Sequence, residues 1–123
     1  GSFLAEMSQG VAQLKEVTVG SPLEASQVSH FGLRETLYIY IAFCAWAGKF
    51  LESDEHCEAL IRRLAGLTER LPLDQAALAE LKAVDQAVQE LRGSVPDTAA
   101  LNFEQDQRLI AMYSPGIQKR ELG

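Results

Sequence analysis

The longest apolar run in the chain does most to constrain its fold. Residues Leu37–Gly48 are 12 consecutive positions without a charged side chain. The run is too short to cross a bilayer as a helix, which takes about 20 residues. Residues 38–41 have strand propensity, but residues 42–47 favour a helix and no hairpin turn lies nearby. A helix that is apolar on nearly every side is surrounded by others, so the run predicts the central helix of a helical domain.

Apolar residues recur at three- and four-residue spacing in several other stretches, which predicts amphipathic helices there. The stretches are residues 4–14, 23–31, 57–71 and 77–91, followed by a shorter helix over Phe103–Tyr113. No strand–helix alternation is visible, and short connections between helices favour antiparallel neighbours. The sequence therefore predicts an all-α fold, a compact antiparallel bundle of about five helices, in a single domain over residues 1–123.

Residues that begin or end helices separate these stretches. Ser21, Ser53 and Asp74 are predicted N-caps, and Asp97 or Asn102 is predicted to cap the last helix. Helix ends are predicted at Pro72, Gly93 and Ser114-Pro115-Gly116. We expect residues 114–123 to form a frayed tail. Gly1-Ser2 is typical of what a protease leaves when a tag is removed, so we expect the natural protein to start differently.

The charge and the cysteines narrow the function classes. The net charge is −6, from 17 acidic and 11 basic residues, which argues against nucleic acid and anionic membranes as partners. Cys44 and Cys57 both lie in apolar helical patterns, where cysteine behaves as a small hydrophobe rather than part of a disulfide framework. No basic and then apolar leader opens the chain. We therefore expect a cytoplasmic protein without a membrane span.

One helical hairpin resembles a tetratricopeptide unit. Five residues fall at the spacings of the conserved glycine, aromatic, small and proline positions of that repeat. They are Gly48, Leu51, Leu64, Leu67 and Pro72. The family is a 34-residue helix–turn–helix that cradles peptides or helices of partners. Cys44 stands where tryptophan is usual, Leu60 replaces the small residue, and Leu67 replaces alanine. No second copy follows at that period. The resemblance implies one tetratricopeptide-like hairpin.

A second group of residues suggests a different function. The segment Ser29–Leu37 resembles the phospho-accepting box of sensor histidine kinases, although Phe31-Gly32 replaces its acidic residue and no proline follows Thr36. Two histidines and two cysteines are enough ligands for a zinc ion, but their spacing contains no C-x2-C pair. We expect no metal and no cofactor. The alternative is a small-molecule, metal or phosphoryl-accepting bundle that uses His30, His56, Cys44 and Cys57.

Aromatic residues give the leading prediction of function. Tyr38, Tyr40 and Trp46 cannot all point inward from one helix, and partly exposed aromatics are common at interfaces. Met112 and Tyr113 lie in the last helix. We predict a non-enzymatic protein–protein interaction domain that uses these five residues to bind another protein or itself, as a homodimer. An immunity protein, a secretion chaperone or an inhibitor is an acidic helical binder of this kind. The remaining alternative is an oligomerising scaffold domain of a longer protein.

Overall fold

Six α-helices make up the part of the chain that the computed structural model describes, residues 3–14 and 33–113. They are α1 Phe3–Gln13, α2 Leu33–Leu51, α3 Asp54–Thr68, α4 Gln75–Ser94, α5 Asp97–Gln105 and α6 Gln107–Tyr113. No strand occurs among these residues. The predicted all-α bundle is confirmed, with six described helices where about five were expected. The predicted helix from Ser21 to Phe31, the segment around His30, Gly1-Ser2 and the tail at 114–123 lie outside the described residues.

The apolar run forms most of α2, which lies at the centre of the bundle. This helix packs against α3, α4 and α6. Adjacent residues are buried at 39–40 and again at 42–44, so the covered positions extend around the helix rather than along one stripe. Because neighbours cover it on several sides, an almost wholly apolar helix is stable here. The prediction of a central core helix is confirmed.

A turn of two residues joins α2 and α3 into an antiparallel hairpin. Glu52 adopts the left-handed conformation, with φ of 55°, which costs a residue with a side chain about 1 kcal/mol. The Ser53 amide then donates to the Gly48 carbonyl at 2.9 Å. Gly48 also lies at a close approach of the two helices, because a Cβ added there would be 3.0 Å from the Cβ of Cys57. A residue without a side chain at position 48 therefore permits this close approach.

The N-cap predictions have mixed outcomes. The Asp74 carboxylate accepts a hydrogen bond from the Ala77 amide at 2.8 Å, so the predicted cap of α4 is confirmed. Ser53 occupies the N-cap position of α3, but its side chain makes no capping hydrogen bond. Its hydroxyl instead donates to the Leu51 carbonyl at 3.4 Å. Ser53 therefore serves the turn and not the first amides of α3.

The prediction of a single helix over Phe103–Tyr113 is wrong. The chain forms α5 and α6, which meet at Asp106. The Asp106 carboxylate accepts hydrogen bonds from the amides of Arg108 at 3.0 Å and Leu109 at 3.2 Å. A short acidic side chain that bonds the next amides favours a new helix start over continuation. The predicted end at Gly93 is also displaced, since α4 continues to Ser94.

A buried ion pair joins α4 to α5. The Arg92 guanidinium lies 3.0 Å from the Glu104 carboxylate, whose side chain is only 1% exposed. It also lies 3.4 Å from the Asp97 carboxylate in the first turn of α5. The buried Glu104 charge is thus neutralised by a cation from the neighbouring helix, which is the usual condition for burying a carboxylate. This pair holds α5 against the bundle and so positions Phe103.

Candidate functional site

A stack of four aromatic rings runs from the core to the surface. Phe43, Trp46 and Phe50 lie on one face of α2 because they are three and four residues apart. Phe103 of α5 completes the stack, with its ring centroid 5.5 Å from that of Phe43 and 5.1 Å from that of Trp46. The Trp46 and Phe50 centroids are 5.2 Å apart. These separations lie within the range in which aromatic pairs attract each other.

Exposure increases along this stack. Phe43 and Phe103 are buried, Trp46 is half-buried, and Phe50 is 48% exposed. Phe50 is therefore held in place on one side by Trp46 while its other side faces outward. Phe50 is not among the five residues that the sequence predicts to bind a partner. Its spacing of four residues from Trp46, in the last turn of the apolar helix, is the signal that points to it.

The end of α6 lies beside the end of α2. The Lys49 ammonium is 5.6 Å from the centroid of the Tyr113 ring, in a cation–π contact. Tyr113 is half-buried, and the preceding Met112 is 66% exposed. We call Trp46, Phe50 and Tyr113 the aromatic surface. It occupies one end of the bundle, where α2 and α6 both terminate.

The structure separates the five residues predicted to bind a partner. Trp46 and Tyr113 belong to the aromatic surface, and the exposed Met112 lies next to Tyr113 in α6. Tyr38 is half-buried in the first half of α2. Tyr40 is fully buried and contributes nothing to the surface. Its place in the core follows from α2 packing against α4 on that side.

Tyr40 belongs to a buried polar network that joins three helices. Its hydroxyl donates to the Asp85 carboxylate of α4 at 2.5 Å, and the Ser8 hydroxyl of α1 donates to the other carboxylate oxygen at 2.9 Å. The Gln89 side-chain amide donates to the Leu4 carbonyl at 3.2 Å. Asp85 is 7% exposed, so the hydroxyls of Tyr40 and Ser8 replace the water that a carboxylate normally holds.

The network changes the acidity of Tyr40. Burial raises the pKa of Tyr40 well above its ordinary value of 10.0, and the negative charge of Asp85 raises that pKa further. Both causes disfavour the phenolate. Tyr40 is therefore a neutral donor at any ordinary pH, and its role is to satisfy Asp85 inside the core.

The cysteines are also core residues. Cys44 and Cys57 are both buried and free. Burial raises the pKa of the Cys44 thiol from 9.0 to about 12, with the neighbouring Cys57 adding to the effect. Burial, followed by the charge of Asp54, raises the pKa of Cys57 as well. Since the thiolate is the reactive form, both positions disfavour nucleophilic chemistry.

An open groove lies near the aromatic surface, between the start of α3 and the end of α4. Its volume is about 430 Å³, and its lining residues are Leu51, Ser53, His56, Ala87, Glu90, Leu91 and Ser94. The more buried of them include the apolar Leu51, Ala87 and Leu91, while His56 and Glu90 are exposed. The groove therefore has an apolar floor and a polar rim that includes one carboxylate.

Three carboxylates lie within five residues after Phe50 in the chain. Glu52, Asp54 and Glu55 are exposed, and we call them the acidic turn. No lysine or arginine of residues 4–14 and 33–113 lies within ion-pair distance of any of them. Within the same residues, no group of three or more histidine, cysteine or acidic side chains could hold a metal ion. The acidic turn thus places negative charge beside the aromatic surface.

Comparisons of the chain with protein families, curated proteins and solved structures found no match. The hairpin of α2 and α3 accordingly carries no assignment to the tetratricopeptide family. None of the described helices is long and apolar enough to cross a membrane.

Proposed function

We propose that this protein is a non-enzymatic protein–protein interaction domain that binds its partner through the aromatic surface. The observation that carries the proposal is Phe50, which remains 48% exposed at the outer end of a stack whose inner rings are buried. Aromatic side chains, phenylalanine included, are enriched in protein–protein interfaces relative to the rest of the surface.

The rigidity of the aromatic surface supports this role. Trp46 is in contact with Phe43, Phe50 and Phe103, so its ring already has the orientation that a partner would meet. Ordering side chains on binding costs roughly 0.5–1.5 kcal/mol for each flexible one. A surface whose rings are already ordered avoids much of that cost when a partner binds. This supports a binding role for the aromatic surface.

The chemistry of the candidate nucleophiles also supports a binding role. An enzyme using Cys44 or Cys57 would need a thiolate that reaches its substrate, whereas both thiols are buried and have raised pKa values. We propose that the domain acts by shape and apolar complementarity, as acidic helical binders such as immunity proteins, secretion chaperones and inhibitors do.

Site-specific photo-crosslinking tests the proposal. Phe50→p-benzoylphenylalanine places a photoreactive ring at the aromatic surface, and Glu69→p-benzoylphenylalanine places one at the exposed far end of α3 as the control. We expect irradiation in the native cells to give a discrete protein adduct from position 50 and none from position 69. Equal labelling from both positions, or none from either, would contradict the proposal.

A further inference from the structure

The aromatic surface, the acidic turn and the groove occupy the same end of the molecule. Phe50 and Leu51 are adjacent in the last turn of α2, and Leu51 lines the groove. Glu52 follows in the turn, and Asp54 and Glu55 begin α3. A partner that covers Phe50 therefore meets several carboxylates and an apolar groove within a few residues of it.

We propose that the partner is a basic amphipathic protein segment, with apolar side chains packed on Phe50 and Trp46 and a lysine or arginine in the groove. This inference rests on the proposed function and adds the chemistry of the partner.

The groove suits a long cationic side chain. Leu51, Ala87 and Leu91 offer an apolar floor for its aliphatic stem, and the exposed Glu90 carboxylate offers an acceptor for its charged end. Lysine and arginine commonly bury their stems along apolar surface while the charge stays at a polar rim. The carboxylate of Glu90 has no ion pair with any described lysine or arginine. It is therefore available to such a cation.

Charge also favours a foreign partner over a second copy of this chain. A two-fold interface centred on Phe50 would bring the acidic turns of both copies, with Glu52, Asp54 and Glu55 in each, close together. Like charges facing each other across an interface are costly. A basic partner turns the same carboxylates into attractive contacts, and it also gains from the overall net charge of −6.

Calorimetric titration of the full chain with three synthetic peptides tests this inference. The first peptide alternates arginine and leucine pairs, a neutral twin carries glutamine for arginine, and an acidic twin carries glutamate. We expect the arginine peptide to bind, more weakly as salt is added, and the acidic twin not to bind. Phe50→Ser and Glu90→Gln should each weaken binding by roughly fivefold to tenfold.

Glu69→Gln is the matched control, because it removes the same charge from an exposed position at the far end of α3. Its binding should stay within about twofold of the wild type. The inference is overturned if Glu69→Gln weakens binding as much as Glu90→Gln, or if the arginine peptide gives no binding. Free arginine binding as tightly as the peptide would also overturn it, in favour of a small-molecule groove.

Failure of this inference can be told apart from failure of the proposed function. If the neutral twin binds as tightly as the arginine peptide and remains sensitive to Phe50→Ser, the surface binds proteins but the basic partner is wrong. If Phe50→Ser affects neither peptide and position 50 gives no crosslinked adduct, both proposals fail.

Discussion

At the scale of single residues, the core is specified by polar contacts as well as by apolar packing. Asp85 accepts hydrogen bonds from Tyr40 and Ser8, which belong to two other helices. A carboxylate at this position is satisfied only when α1 and α2 are both in register with α4. Leaving such a group without its donors costs about 1–3 kcal/mol each, so the network penalises misaligned packings.

The first prediction concerns Tyr40→Phe, which keeps the ring and removes the hydroxyl that donates to Asp85. We expect the free energy of unfolding to fall by about 1–3 kcal/mol at neutral pH, because Asp85 remains buried with one donor fewer. Urea unfolding followed by far-ultraviolet circular dichroism measures the change. Gln9→Ala, on the exposed face of α1, is the control.

Alkaline pH should narrow the difference in free energy of unfolding between the wild type and Tyr40→Phe. The pKa of Tyr40 is raised in the folded protein, so its contribution to stability is fully present below the unfolded value and is lost as pH rises. Unfolded tyrosine ionises near pH 10, so the wild type should lose more stability than the variant between about pH 9 and about pH 11. If the wild type and Tyr40→Phe lose stability equally over this pH range, the Tyr40 phenol is not held neutral by its surroundings.

At the scale of elements, the α2–α3 hairpin depends on the absence of a side chain at one position. The helices meet where Gly48 faces Cys57. Glycine inside a helix normally costs about 1 kcal/mol relative to alanine. The close approach of the two helices offsets that cost, and the apolar stripe of α3 can then pack fully against α2.

The second prediction compares two glycine substitutions. Gly48→Ala should lower the free energy of unfolding by about 1–3 kcal/mol, because its new Cβ would lie 3.0 Å from the Cβ of Cys57 and would force the helices apart. Gly66→Ala in α3 has nothing within 4 Å of its new Cβ. It should therefore raise stability by up to about 1 kcal/mol through helix propensity. Thermal unfolding measures both changes, with a lower melting temperature expected for Gly48→Ala and a higher one for Gly66→Ala. Equal shifts in the two variants would contradict the close packing at Gly48.

The sequence predicts those elements whose signals are local. The 12-residue apolar run and the Asp74 cap depend on neighbouring positions, and both are present in the structure. The break at Asp106 was missed because its carboxylate can bond nearby amides without interrupting the apolar spacing. Asp85 was missed for another reason: its donor Ser8 is 77 residues away, and no local pattern records that contact. The exposed end of the aromatic stack likewise depends on Phe103, from a helix far along the chain.

At the scale of the whole molecule, α1 is part of the main core. Leu4, Met7 and Val11 are fully buried, and α1 packs against α4. The Gln89 amide reaches the Leu4 carbonyl across the same junction. A helix that supplies core side chains together with a donor and an acceptor of the polar network should unfold together with the rest of the molecule and not ahead of it.

The third prediction is that Met7→Ala destabilises α2 and α4 as well as α1. Removing this fully buried side chain should lower the free energy of unfolding by about 2–5 kcal/mol. Hydrogen exchange read by mass spectrometry should show faster exchange in α2 and α4 as well as in α1. Gln9→Ala is again the control, since its side chain is exposed in the same helix. Faster exchange confined to α1 would show that this helix is a separate unit.

The aromatic stack contains an intrinsic fluorescent probe. Trp46 is the single tryptophan of the chain, and its indole is sandwiched against Phe103 on one side while Phe50 lies on another. Its fluorescence emission therefore reports two events without any added dye. Departure of α5 would shift the emission to longer wavelength as water reaches the ring, whereas arrival of a ligand on Phe50 would shift it to shorter wavelength.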